Sequence, residues 1–459
     1  MNKILTTVTS ILIVLANAFS QEEPQIKELN EFEVTVGRLN KYFVDSVHVY
    51  ITREEIEVLQ PDDLGELLKK LPGVNVKSYG GLGGLKTISI RGLGGQHTNF
   101  VMDGFGQSQT QTGQINLGQI QLDNIESVVV QRGGSSELLI PASAQLSGNS
   151  IILESFQSIP PTIPLQQKLS IKFGAFGQSE QYYVGKTGGK KFYGGIFLKY
   201  RQAHGEYPYR YINYQTEYSG IRKNNDFNDL NGGFNFRYQP HSNHQFNMYF
   251  QYLETKQGVP GAVVLYNDFA KQRLNTTNSQ IKLDYKGKVK NINYRLHYSL
   301  MNDSLFYLDP TYLNNVGELR ASYKNKVHDF GLNTGISLFK KLHFNLGTQG
   351  TYSYLHSQES LTASPERFHF YSFFKTTFNS NRWTGIAQIG YQNVIEDNKT
   401  GTKAENLSRF NPYFEFKYHV SEKLSIISYY RNSFRMPNFN ELYYNNIGNT
   451  LLKPEDANQ

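Results

Sequence analysis

From about residue 165 onward, apolar and polar side chains alternate one by one. Ile292, Tyr294, Leu296, Tyr298 and Leu300 are interleaved with Asn293, Arg295, His297 and Ser299. Phe344, Leu346, Thr348, Gly350, Tyr352 and Tyr354 are interleaved with His343, Asn345, Gln349 and Ser353, and Phe246, Met248, Phe250 and Tyr252 repeat the pattern. A period of two gives each β-strand one apolar and one polar face. A soluble sandwich alternates as well, and the connections separate the two cases. Short connections fall near 187–190, 239–243, 287–291, 339–341, 379–381 and 419–422. Longer polar stretches fall near 204–228, 255–276, 303–326, 356–365, 397–406 and 435–455. Strict alternation of tight turns and long loops is the pattern of an outer-membrane β-barrel. Residues 318–323 are read into the loop or into one long strand running to Leu338, because a separate strand there breaks the parity downstream. The count is then about thirteen to fourteen strands, each near ~10 residues. An odd count does not close a bacterial single-chain barrel, and open strand edges are costly in lipid. The polar end, Glu455-Asp456-Ala457-Asn458-Gln459, therefore suggests a fragment of a larger barrel.

Residues 40–155 follow a different rule. Leu64, Leu67, Leu68 and Leu71 recur at helical spacing over 62–71, and Pro72-Gly73 ends that helix. Short strands are expected at 74–76, 87–91, 99–102 and 127–131, with Asp103-Gly104 as a hairpin turn. Glycines at 80, 81, 83, 84, 92, 94 and 95 permit tight turns. The expectation is a small α+β domain. Ahead of it, Lys3 precedes an apolar stretch over 4–15 and an Ala16-Asn17-Ala18 cleavage-type site. That is a secretory signal peptide over 1–20, which sends the chain out of the cytoplasm.

Composition sharpens this picture. Of 459 residues, 14% are aromatic, with 32 Tyr and 30 Phe, which suits many short membrane strands. No stretch after the N-terminus is long and apolar enough for a spanning helix. Cysteine is absent, which excludes disulfides, thiolate metal sites and a lipid-bearing Cys. The net charge of +7 is spread along the chain without a basic stripe, so no nucleic-acid partner is expected. The 11 His are scattered without metalloprotease spacing, and no metal site is assigned. Asn224, Asn225, Asp226, Asn228 and Asp229 cluster over 222–229 but lack the full calcium-loop pattern, and are read as a solvated loop. The glycines at 80–84 and 92–95 are not followed by the Lys-Ser/Thr pair of a phosphate-binding loop. No G-x-S-x-G elbow appears, so no catalytic residue, cofactor or enzyme activity is expected.

Several ordered motifs resemble the TonB-dependent receptor family over essentially the whole mature chain. Phe32-Glu33-Val34-Thr35-Val36 looks like a TonB box. Asp63-Leu64-Gly65-Glu66-Leu67-Leu68 through Leu71-Pro72-Gly73-Val74 looks like the first helix and strand of the plug. Ile88-Ser89-Ile90-Arg91-Gly92 with Val101-Met102-Asp103-Gly104 looks like its central motif, and 125–133, ending in Arg132-Gly133, like its last signature. Phe434-Arg435-Met436-Pro437, Asn440-Glu441-Leu442, Gly448-Asn449 and Leu452-Lys453-Pro454-Glu455 resemble the late-barrel motif. One departure follows Gly133, where Ile140-Pro141-Ala142 and Gly148-Asn149-Ser150-Ile151 replace the usual Gly-rich stretch.

The resemblance implies a 22-stranded, plugged transmembrane barrel in the cell outer membrane. It implies a segment at 21–39 carrying the TonB box, a plug at 40–155 and a barrel at 165–459. The box is short, extended and β-branched, suited to strand addition onto a TonB-like energy-transducing partner. The plug-motif residues are Arg91, Gly92, Asp103, Gly104, Arg132 and Gly133. Arg91 and Asp103 are read as pairing with charges of the barrel wall to seat the plug, or as surface groups. Substrate is expected at the plug loop 104–114, with Gln107, Ser108 and Gln109 as candidates. The expected cargo is a metal chelate, a ferric siderophore or a cobalamin; Gly258-Val259-Pro260-Gly261 with Leu265-Tyr266-Asn267 resembles cobalamin-receptor-like members. The alternatives are oligosaccharide or peptide import, then a passive channel or a barrel enzyme.

Overall fold

The computed structural model describes residues 48–459 except 80–82, 108, 133–138, 156–162, 262–269, 339–340, 359–360, 362, 422–423 and 446. The proposed signal peptide, the 21–39 segment with Phe32, Glu33, Val34, Thr35 and Val36, and the residues Ser108 and Gly133 lie outside the described residues.

The first part is built on a five-stranded sheet in the order β1-β7-β8-β5-β6. Its strands are β1 (His48–Thr52), β5 (Thr98–Met102), β6 (Phe105–Gln107), β7 (Ile125–Gln131) and β8 (Asn149–Ser155). A second sheet holds β2 (Val74–Tyr79), β3 (Leu85–Ile90) and β4 (Leu93–Gly94). Helix α1 (Arg53–Leu59) is missed by sequence periodicity because only Ile56 is buried; its start is set by a capping box in which Thr52 and Glu55 satisfy each other's backbone N–H groups. Helix α2 covers only Leu64–Leu68 of the expected 62–71, because Asp63 is its N-cap and accepts from the Glu66 N–H. Leu64, Leu67 and Leu68 are fully buried, as their spacing requires. The strand expected after the departure at 140–151 forms as β8, parallel to β5 and antiparallel to β7. Helix α3 (Ala142–Leu146) precedes it.

The second part is a sheet of fourteen strands, each antiparallel to the next along the chain apart from an inserted hairpin. They are β9 (Ile163–Phe173), β10 (Ser179–Gly188), β11 (Phe192–Ala203), β14 (Phe227–His241), β15 (His244–Val259), β16 (Gln272–Val289), β17 (Ile292–Asp309), β18 (Leu319–Leu338), β19 (Leu342–Gln358), β20 (Pro365–Asn379), β21 (Trp383–Asn398), β22 (Leu407–Ser421), β23 (Leu424–Arg435) and β24 (Glu455–Asn458). The inserted hairpin is β12 (Tyr207–Asn213) with β13 (Thr216–Arg222). In the fourteen-stranded sheet, β9 and β24 are the two edges and are not paired with each other. Of the two readings of 318–323, loop or one long strand, the long strand is found as β18.

Burial is inverted relative to a soluble domain. Leu346 is 51% exposed while its neighbour Asn345 is 1% exposed; Leu296 is 47% exposed while Arg295 is 2% exposed. Apolar side chains thus face outward, where lipid would solvate them, and polar ones face the plug. Two of the long polar stretches read as loops, 204–228 and 303–326, are largely strand. Within 303–326, for example, β17 runs to Asp309 and β18 starts at Leu319. Where both faces turn polar the alternation fades, yet the backbone ladder continues.

Candidate functional site

Two two-residue turns carry the plug motifs. Arg91 and Gly92 (φ 49° and 85°) join β3 to β4, with Ile90 opposite Leu93. Asp103 and Gly104 (φ 55° and 78°) join β5 to β6, with Met102 opposite Phe105. Positive φ at both central residues is the left-handed geometry that suits a tight hairpin, and it explains the glycines.

The Asp103 carboxylate turns inward. It accepts from the Ser155 backbone N–H at 2.8 Å and the Ser155 hydroxyl at 2.9 Å. Burial pushes its carboxyl above the usual range, opposed by those hydrogen bonds and by the charge of Lys282. The wall therefore holds this turn by its backbone. Arg295 Nη1 donates to the Gly104 carbonyl at 2.7 Å and Nη2 to the Asp103 carbonyl at 3.1 Å, while Nε bonds Asp284. A Cβ on Gly104 would overlap the Arg295 guanidinium. The Phe105 ring is approached by two wall cations, the Arg295 guanidinium at 5.1 Å and Lys282 Nζ at 5.6 Å from its centroid.

Arg91 Nη1 donates to the Tyr429 hydroxyl of the wall at 3.4 Å. Arg132 Nη2 donates to the Pro72 carbonyl at 2.6 Å; burial and then the charge of Arg91 lower its pKa from the ordinary value. Arg91 thus contacts the wall through a tyrosine, and Arg132 braces the end of the helix-to-strand connection inside the plug.

The plug segment after β6 borders a cavity of about 550 Å³ between plug and wall. Gln107 and Gln109 both line it. The next residues are gripped by the loop after β23. The N–H groups of Phe439 and Asn440 donate to the carbonyls of Thr110 and Gln111, each at 3.0 Å, and Asn438 Nδ2 donates to the Thr112 carbonyl at 3.1 Å. That loop is rigidified by helix α4 (Phe439–Tyr443), capped by Asn438 and Glu441. Phe439, Leu442 and Tyr443 pack on Ala321, Tyr323, Leu355, Ala363 and Ala404. On the opposite side Asp123 of the plug meets Lys199 of β11 at 2.6 Å, and Lys199 also meets Glu180 at 2.9 Å. Burial raises the Asp123 pKa, but the charges of Lys199, Lys172 and Arg53 outweigh it and hold the carboxyl below its usual range.

The acidic cluster at 222–229 is occupied by protein groups. Asp226 accepts from both Arg273 nitrogens at 2.6 and 2.7 Å, and Asp229 accepts from Arg201 Nε at 2.8 Å. Asn224 and Asn225 donate to backbone carbonyls. Among the described residues, no group of three or more His, Asp or Glu is arranged to hold a metal ion.

Sequence reasoning missed Arg295, Lys282, Asp123 and Lys199. The strand parity does turn Arg295 inward; its carbonyl targets are more than 190 residues away in the chain, and only the fold brings them together.

A plug seated against an antiparallel wall with an apolar exterior defines a plugged outer-membrane barrel. Two family models agree: the TonB-dependent Receptor Plug Domain matches residues 42–144, and the TonB dependent receptor-like β-barrel matches residues 169–459. The chain belongs to the TonB-dependent receptor family. Among curated relatives, the vitamin B12 transporter BtuB of Vibrio vulnificus is 33% identical over 122 residues, 27% of this chain and 17% of that one. BtuB of Photobacterium profundum is 28% identical over 144 residues, 31% of this chain and 22% of that one. Among solved structures, FpvA of P. aeruginosa bound to a ferric pyoverdine superposes with a TM-score of 0.68 at 12% identity, over 90% of this chain and 59% of that one. The copper transporter OprC gives 0.70 at 11%, over 90% and 68%. The matches thus span under a quarter of the curated relatives' length and about three-fifths of FpvA, and the structural likeness is one of fold.

Proposed function

We propose that this protein serves in energised uptake of a scarce metal chelate, a ferric siderophore or a cobalamin, across the outer membrane. The observation that carries this reading is the cavity between the plug segment at 107–125 and the wall, lined by side chains of both. Curated relatives named as vitamin B12 transporters and structural neighbours bound to ferric chelates support the cargo class. In this reading residues 1–20 direct export, 21–39 carry the partner-docking strand, 40–155 are the plug and 165–459 the barrel. Phe32, Glu33, Val34, Thr35 and Val36 pair with a TonB-like protein by strand addition, and Gln107, Ser108 and Gln109 meet the ligand. Arg91, Gly92, Asp103, Gly104, Arg132 and Gly133 shape and seat the plug. The protein acts as a transporter, with no chemical step of its own.

The test is uptake of labelled cyanocobalamin and ferric citrate by cells producing the protein. Deleting residues 32–36 is expected to abolish accumulation while surface binding persists. Accumulation that survives this deletion, or that survives collapse of the inner-membrane proton gradient, defeats the reading.

A further inference from the structure

The cavity beside the plug has an unusual lining for a site meant to hold an anionic chelate. Fourteen of its lining side chains are Asn or Gln, contributed by both plug and wall, and Ser and Thr add hydroxyls. Among the described lining residues only Lys186 is cationic, against two carboxylates, Asp123 and Asp303. Asp123 is already matched by Lys199. An anion entering this space would lose its water without the guanidinium or ammonium groups that normally replace it. A carboxamide, by contrast, offers two donors and an acceptor without charge. Gln257, on the wall, has its Oε1 buried with no hydrogen-bond partner among the described residues. That oxygen lies against Gly83 of the plug. Tyr182, Tyr193 and Tyr249 give the same space apolar ring surface.

We infer that this cavity selects an uncharged ligand whose surface is dense in amides or hydroxyls, and disfavours anionic ferric chelates. The inference rests on the uptake reading above; it keeps the cobalamin arm of the cargo, drops the ferric-chelate arm and admits an oligosaccharide in its place. Amide-bearing corrinoids and hydroxyl-bearing oligosaccharides share this chemistry, and the two are distinguished by measurement.

The experiment is calorimetric titration of the full chain, folded in detergent, with cyanocobalamin, maltoheptaose and ferric citrate in parallel. One of the two neutral probes is expected to bind, with an affinity unchanged between about 0.05 and 0.5 M salt, since no net charge is engaged. Ferric citrate is expected not to bind. Gln257→Leu removes one carboxamide from the lining and is expected to weaken the neutral probe about tenfold, the size of one lost hydrogen bond; circular dichroism checks that the variant keeps its fold. Gln257→Lys is expected to weaken the neutral probe and confer salt-sensitive binding of ferric citrate. Binding of ferric citrate by the unaltered chain, falling with salt, overturns the inference and leaves the uptake reading intact. Failure of both neutral probes with a folded chain also overturns it. Neutral binding without energy-dependent accumulation in cells defeats the uptake reading and leaves the ligand class standing.

Discussion

Arg295 ties three things together: Asp284 beside it on the wall, the two carbonyls of the plug turn, and the Phe105 ring. Arg295→Ala removes all three contacts and leaves Asp284 buried without this partner. The expected cost is about 3 kcal/mol or more, read by urea unfolding in detergent, with protease cleavage of the plug as a local readout. Arg295→Lys keeps the charge but not the two-pronged geometry, and is expected to fall between. Gly104→Ala attacks the same contact from the plug side. It places a Cβ against the guanidinium at a φ of 78°, and is expected to cost about 1–3 kcal/mol. If Gly104→Ala unfolds no earlier than the parent, the clamp does not hold the turn. The position of Arg295 on the inward face was legible from the alternation around Tyr294 and Leu296. Its role was not, because the target is backbone, which carries no residue-specific signal.

The alternation that revealed the strands was also what hid their length. It depends on lipid outside and plug inside, and beyond the apolar band both faces are wet. β15, β16, β17 and β18 therefore extend well into stretches that read as loop, and β12 and β13 form a hairpin inside the longest of them. Helix α1 was invisible for a related reason: a helix that buries one residue has no apolar stripe. Its start is nonetheless specified locally. Thr52→Ala removes the capping oxygen and is expected to destabilise the plug by about 1 kcal/mol, seen as faster hydrogen exchange over 53–59 than elsewhere in the plug. Uniform exchange across the plug would mean that α1 does not open by itself. In the candidate site, Gln107 and Gln109 were legible as polar loop residues. The wall amides opposite them were not, since pairing over such distances in the chain is a property of the assembled sheet.

The seam between plug and wall is polar and partly charged, which makes the whole assembly sensitive to pH. The Asp123 carboxyl titrates below its ordinary value, so its contribution is present above about pH 4 and is lost as pH falls through the lowered pKa. Acid is expected to expose the plug to protease in that range, and Asp123→Asn is expected to shrink the acid step. At the other extreme, burial of Lys86 disfavours its charge, but Asp63 at 2.7 Å and Glu66 at 3.2 Å outweigh that and raise its pKa. Its contribution is full below about pH 10 and fades as pH rises through the raised value. Lys86→Met should therefore flatten the alkaline limb of a stability profile.

The position of β1 has a mechanical consequence. Among the described residues it is the outermost strand of its sheet, paired only to β7 through five residue pairs, His48 to Thr52 against Gln131 to Ser127. Tension on the chain ahead of His48 is borne first by that short ladder. Pulled along its own axis, β1 loads its rungs together, in shear; pulled sideways, it opens them one after another, like a zip. Once it detaches, β7, β8, β5 and β6 still form a sheet, so a small force peels one strand and leaves the remainder of that sheet as a rigid body to be tilted or drawn out.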